Sequence, residues 1–188
     1  MSSVLYVSSI EINTELTKVL KSVGYDSILH AKSSSEARRM ISSTDYALIL
    51  INTPLQDENG IDLAWFASSS SVASVALIVK SEFIERVEYQ VAEFGVVVIQ
   101  KPISPEYLYR NLKILYSTQN RIIKLVKDNR KLEEKVAELK LVDRAKCLLI
   151  AKEKMEEELA HRFIEKTAMD KRISRKEVAL KIIDKYTK

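Results

Sequence analysis

Every glycine (Gly24, Gly60, Gly95) and every proline (Pro54, Pro102, Pro105) of this 188-residue chain lies within its first 105 residues. Residues 106–188 hold no backbone breaker, so that half is expected to be helical throughout. Charge divides the chain at the same place. Residues 1–105 carry 8 Lys+Arg against 12 Asp+Glu, net −4, while residues 106–188 carry 22 against 14, net +8. A positive helical half of that size points to a polyanionic partner, nucleic acid or anionic lipid.

In the first half, short apolar runs alternate with amphipathic stretches. Residues 4–7, 27–31, 47–51, 75–79 and 96–99 read as strands; 12–23, 33–41, 60–66, 83–94 and a segment from Ser104 read as helices, with Ser33 and Glu36 forming a capping box. Five βα units imply a parallel sheet, and strands this apolar are covered on both faces. The expected fold is α/β, a doubly wound, flavodoxin-like five-stranded parallel sheet in the order 2-1-3-4-5, followed by a long helix and an all-α three-helix domain.

Composition excludes several classes. At 46% apolar and 30% charged residues the chain reads as an ordinary soluble protein. Its apolar runs fall far short of the roughly 20 residues that span a bilayer, and no basic lead precedes the first of them, so a cytoplasmic protein without membrane contact is expected. Cys147 alone cannot form an internal disulfide and reads as a small buried helix residue. His30 and His161 are too few and too far apart for a metal site, and no cofactor is expected. No nucleophile–base pair, phosphate loop or metal cluster can be assembled, so the chain does not read as an enzyme.

Ligands of doubly wound folds bind at the carboxyl ends of the strands. Those ends hold Ser8 and Ser9, Asn52 in the stretch LILINTP, Lys80, and Lys101 followed by Pro102. The arrangement resembles the receiver domain of two-component response regulators, with VLYVSS where an apolar strand leads into an acidic pair and VIQKP matching the strand-Lys-Pro ending. The resemblance implies the receiver (CheY-like) fold over residues 4 to about 115. It also implies that Ser8, Ser9 and Asn52 replace the acidic pair and the phosphoacceptor aspartate, that Lys80 replaces the hydroxyl residue and that Val98 replaces the switch aromatic.

Neutral hydroxyls and an amide do not offset a divalent cation's lost hydration, and a carboxamide does not become an acyl phosphate. The expectation is a pseudo-receiver over residues 1–115, not controlled by aspartyl phosphorylation. Lys101 is expected to be a surface lysine or a partner to loop carbonyls, and Asp57 and Glu58 to be solvated loop carboxylates.

From Pro105 the chain runs about 50 residues without a breaker, roughly 75 Å of helix at about 1.5 Å per residue. Leu125, Asn129, Leu132, Val136 and Leu139 follow 4-3-4-3 spacing, with Leu108, Leu112 and Leu115 as an earlier turn of the same kind. This pattern favours a parallel homodimeric coiled coil, with residues 116–131 as the linker helix and Asn129 setting register.

The end of the chain resembles the ANTAR domain, a three-helix RNA-binding module of transcription antiterminators. The matching stretches are RAKCLL (144–149), EEELAHRFI (156–164), the turn TAM (167–169) and the short helix RKEVALKII. Residues 132–188 are expected to form this domain, with a helix break between residues 152 and 156 and a capping box of Ser174 and Glu177. Leu159, Ala160, Phe163, Ile164 and Thr167 should share one helix face, and Val178, Ala179, Ile182, Ile183 and Tyr186 another.

The resemblance implies an RNA partner, paired stem-loops in leader transcripts. Arg144, Lys146, Arg162, Lys166, Lys171, Arg172 and Arg175 are the candidate contacts to phosphates and splayed bases, with Ala168 and Met169 beside them. A homodimer would read two hairpins at once, and a regulatory protein partner is left open. The alternatives are a DNA-binding transcription factor and a helical protein-binding adaptor.

Overall fold

In the computed structural model, which describes residues 3–187, strands and helices alternate as the apolar runs predict. β1 (Ser3–Val7), β2 (Ser27–Ala31), β3 (Leu48–Asn52), β4 (Ser74–Lys80) and β5 (Val97–Lys101) are each followed by a helix: α1 (Thr14–Val23), α2 (Ser34–Ser43), α3 (Ile61–Ser70), α4 (Ile84–Val91) and α5 (Pro105–Glu153). Two more helices, α6 (Glu157–Lys171) and α7 (Arg175–Thr187), complete the chain. All strand pairs are parallel, in the expected order β2-β1-β3-β4-β5. No helix among the described residues is long and apolar enough to cross a membrane. The chain separates into two compact units that meet between Ile123 and Lys124.

Successive strand side chains point to opposite faces, and both faces of this sheet are buried. Leu5, Ile49, Ile51 and Leu77 enter one layer with α2, α3 and α4. Val4, Tyr6, Leu48, Leu50 and Ile78 enter the other with α1 and the start of α5. Leu108, Leu112 and Leu115 belong to that second layer, so they pack on the sheet and do not extend a coiled-coil seam. Further along α5, Gln119 is buried; its Nε2 donates to Val72 O at 2.7 Å and its Oε1 accepts from Ser74 Oγ at 3.1 Å.

Asp57 is an exposed loop carboxylate, as expected, and Glu58 is half-buried, but both hold partners. Asp57 accepts from the Ser34 and Ser35 backbone N–H groups at 2.9 and 3.0 Å, at the first turn of α2. These hydrogen bonds hold its carboxyl below the usual aspartate range. Glu58 accepts from Leu63 N at 2.9 Å and pairs with Arg38 at 3.4 Å. In the Ser33 cap, Ser33 Oγ accepts from Glu36 N, but Glu36 accepts from Lys32 N, one residue beyond the Ser33 N–H of a reciprocal box.

The second unit has one small core: Val142, Ala145 and Leu149 from α5, Ala160, Ile164 and Ala168 from α6, and Val178, Ala179 and Ile182 from α7. α5 stops at Glu153 and α6 begins at Glu157, within the break the sequence marks. Its helix-ending devices lack glycine. Lys154 and Arg172 both have positive φ, 56° and 51°. Arg172 closes α6 as a Schellman turn, with Arg172 N donating to Met169 O and Ile173 N to Ala168 O. Thr167, Ala168 and Met169 are therefore helical, and the turn expected there falls after Lys171. Leu159 and Phe163 are exposed, not part of the core face of α6, and Cys147 is exposed, not buried. Ser174 and Glu177 form the reciprocal capping box at the start of α7.

Candidate functional site

The carboxyl edge of the sheet gathers the residues that the strand register dictates. Asn52 continues the Leu48–Leu50 row and so faces the α1 and α5 side, in register with Ile78 of β4 and two residues beyond Leu50, the partner of Tyr6. Its Nδ2 donates to the Tyr6 hydroxyl at 2.9 Å and to Ser8 Oγ at 3.2 Å, while its Oδ1 is buried with no partner among the described residues. Ser8 is 1% exposed, and its Oγ also accepts from Ile10 N; Ser9 is exposed.

Lys101 lies on the same side as Ile99 and pairs in register with Lys80 of β4. Its Nζ donates to Thr53 O at 2.5 Å. Burial, then the neighbouring Lys80 charge, lowers its pKa. Lys80 is exposed and sits 3.8 Å from Glu82. The Thr53–Pro54 and Lys101–Pro102 peptides at these strand ends are both cis.

A divalent cation does not fit this edge. Ser8, Ser9 and Asn52 are neutral, and Asn52 turns its amide N–H groups toward Ser8 and Tyr6. Among the described residues, no three His, Cys, Asp or Glu side chains gather as a metal-binding group. Tyr6 escaped sequence reasoning because an aromatic inside an apolar strand reads as core; only the hydrogen bond its hydroxyl accepts from Asn52 makes it part of the edge.

In the second unit, Arg162, Lys166 and Met169 are exposed at positions i, i+4 and i+7 of α6, opposite the Ala160–Ile164–Ala168 core row. Met169 is 77% exposed, whereas Ala168 is 8% exposed and packs into the core, leaving little surface for a partner. Several basic candidates already hold acids. Lys146 contacts Asp143 at 3.0 Å and Glu157 at 3.2 Å, Arg162 contacts Glu158 at 2.8 Å, and Arg175 contacts Glu138 at 3.3 Å and Glu165 at 3.6 Å. Hydrogen bonds to Asp143, then Glu157, raise the Lys146 pKa. The Glu158–Arg162 pair is legible as i, i+4 spacing; Glu138–Arg175 is not, because only the fold brings those helices together. Among the described residues, Arg144, Lys166, Lys171 and Arg172 make no ion pair.

Leu125, Leu132, Val136 and Leu139 are exposed on α5 at 59%, 63%, 49% and 51%, with Asn129 exposed among them. Among the described residues, none buries this stripe.

The chain is a parallel α/β sheet of receiver-like fold followed by a basic three-helix unit. Residues 130–183 match the family model of the ANTAR domain. The chain thus consists of a receiver-like fold followed by an ANTAR domain. It is similar to the transcriptional regulatory protein PdtaR of Mycobacterium tuberculosis, at 27% identity over 173 residues, covering 92% of this chain and 84% of that protein.

Among solved structures, a receiver domain protein (CheY-like) from Methanospirillum hungatei aligns with TM-score 0.53 and 19% identity, covering 64% of this chain and 98% of that one. A two-component response regulator from Clostridium difficile aligns with TM-score 0.55 and 22% identity, covering 64% and 99%. An adenylate cyclase from Rhodopirellula baltica aligns with TM-score 0.57 and 15% identity, covering 71% and 98%. At these identities the likeness shows the fold alone.

Proposed function

We propose that this chain is a cytoplasmic RNA-binding regulator of transcription antitermination, not an enzyme, which works as a dimer and takes no phosphoryl group. The observation that carries the reading is the ANTAR match over a basic three-helix unit whose exposed α6 face presents Arg162, Lys166 and Met169. The resemblance to a transcriptional regulatory protein over most of both chains supports it.

Phosphate contacts supply affinity, while splayed loop bases supply sequence, because the major groove of an RNA helix is too narrow to read. Arg144, Lys166, Lys171 and Arg172 are the foremost phosphate contacts, since they give up no carboxylate to bind. Lys146, Arg162 and Arg175 must exchange an acid for a phosphate and contribute less each. The α5 stripe joins two copies as a coiled coil, with Asn129 at a seam position, so that two ANTAR domains meet two hairpins of a leader transcript. Neutral Ser8, Ser9 and Asn52 leave no aspartyl route to the phosphoprotein.

A DNA-binding reading is second, favoured by the three-residue connection at 172–174 between α6 and α7, a length shared with helix-turn-helix motifs. Filter binding separates the two. A two-hairpin leader RNA should bind more tightly than a matched duplex DNA, and Lys166→Ala should flatten the salt slope by roughly 0.7 to 0.9. Preference for the duplex, or an unchanged slope, contradicts the assignment.

A further inference from the structure

We propose that the cavity at the carboxyl edge of the sheet binds a small zwitterion with an apolar tail, the class that fits being an apolar α-amino acid. This goes beyond the functional reading above but rests on one part of it, that the edge takes no phosphoryl group.

The cavity has a volume of about 290 Å³ and lies against α1, the Asn52 end of β3 and the segment that links β5 to α5. That is near the lower end of small-molecule sites, suited to a metabolite of amino-acid size. Two opposite charges line it, Glu15 from the first turn of α1 and Lys101 from the end of β5. Tyr6 and Asn52 supply neutral polar groups, and Leu16, Val19, Ile78 and Leu108 supply an apolar wall.

The polar groups have bonding capacity that the protein leaves unused. The Tyr6 hydroxyl accepts from Asn52 Nδ2, and no described acceptor takes its own proton. The Lys101 ammonium spends one hydrogen on Thr53 O and keeps the others. The wall therefore offers an acid at Glu15, and spare donors at Lys101 and the Tyr6 hydroxyl.

A ligand ammonium answers the first by pairing with the Glu15 carboxylate, and a ligand carboxylate answers the second by accepting from Lys101 Nζ and the Tyr6 hydroxyl. A plain anion leaves Glu15 without a countercharge. A plain cation meets Lys101 unscreened, and a neutral hydrocarbon satisfies none of the three groups. The apolar wall selects the tail. A carboxylate at Lys101 would also offset the burial and the Lys80 repulsion that now depress that ammonium.

Calorimetric titration of the full chain with L-leucine, L-valine and L-methionine tests this, with 4-methylpentanoate (no ammonium) and 3-methylbutylamine (no carboxylate) as matched probes. At least one amino acid should bind at millimolar concentration or below, and both matched probes should bind about tenfold more weakly or worse. Glu15→Gln and Lys101→Met should each weaken binding about tenfold. Glu15 is exposed on the first turn of α1, so Glu15→Gln keeps the test sound if Lys101→Met does not fold.

The proposal is overturned if none of the three amino acids binds, if 4-methylpentanoate binds as well as leucine, or if Glu15→Gln leaves the affinity unchanged. Labelling by acetyl phosphate and Mg²⁺ is a separate readout. Acid-labile phosphate on the chain would sink the underlying phosphoryl reading, whereas a silent titration on an unlabelled chain would sink only the ligand.

Discussion

The receiver-like unit and the ANTAR unit hold themselves together by different means. The first encloses a sheet between two apolar layers, with Leu5, Leu48, Ile49, Leu50, Ile51 and Leu77 fully buried in its middle strands. It ends α1 on Gly24 at φ 119°, where a side chain would be strained. The second packs nine buried residues, four of them alanine, among three helices, and it ends helices on Lys154 and Arg172 in the left-handed region that disfavours branched and long residues. A thick core tolerates a neutral, partly unsatisfied edge. In the proposed dimer, a thin core with an exposed apolar stripe would gain from a second copy, tying its stability to association.

The largest expected effect breaks the thinner side of this comparison. Ile164→Ala removes a fully buried side chain from the nine-residue core and should cost about 4 kcal/mol, lowering helical circular dichroism while leaving the emission of Trp65, the only tryptophan, unchanged. Coupled loss of both signals would show that the units do not unfold separately.

On the thicker side, Gly60→Ala places a Cβ 2.8 Å from Thr53 Cγ2 at φ 89°, and it should cost about 3 kcal/mol in urea titrations followed by Trp65. A wild-type midpoint would mean that the β3–α3 connection is looser than its packing.

Asp57→Ala should cost about 1 kcal/mol at neutral pH, as removal of a helix-capping acceptor does. Because the folded carboxyl titrates below its ordinary value of 3.8, its contribution is complete above that pH and fades as pH falls through the lower folded value. The gap between mutant and wild type should therefore close only in acid below 3.8, and a gap that closes near neutrality would assign the effect elsewhere.

The smallest effect has the opposite sign. Arg172→Gly relieves left-handed strain at the Schellman turn and should stabilise the ANTAR unit by about 0.5 kcal/mol after the added entropy of the unfolded chain, while weakening RNA binding. A loss of stability would mean that Arg172 makes a contact worth more than its strain.

The sequence exposed the sheet well, because runs such as LILIN and VALIV have no other home than a strand buried on both faces. Asn52 stood out for the same reason, as an amide where a buried strand meets its ligand edge. The break before α6 was marked closely without glycine.

What escaped shares a physical cause. Leu108, Leu112 and Leu115 have the spacing of a seam and of any amphipathic helix alike, and only the sheet beside them decides. Met169 and Ala168 read as a turn because no local signal announces that Arg172, a poor left-handed residue, ends the helix. Exposure of Cys147, the orphan oxygen of Asn52 and the acids that hold Lys146 and Arg175 depend on packing between elements distant in sequence. The partners of Asp57 and Glu58, namely Ser34, Ser35 and Arg38, went unread because they lie about 20 residues upstream.

The most direct test is one titration of the full chain against a two-hairpin leader RNA at low ionic strength, run with and without acetyl phosphate and Mg²⁺ and with duplex DNA as competitor. Tight binding that resists the duplex and does not change with the phosphoryl donor is the predicted result. RNA affinity that shifts with the phosphoryl donor, or is surrendered to the DNA, would contradict a regulator whose basic helices hold transcripts and whose sheet edge has left phosphate behind.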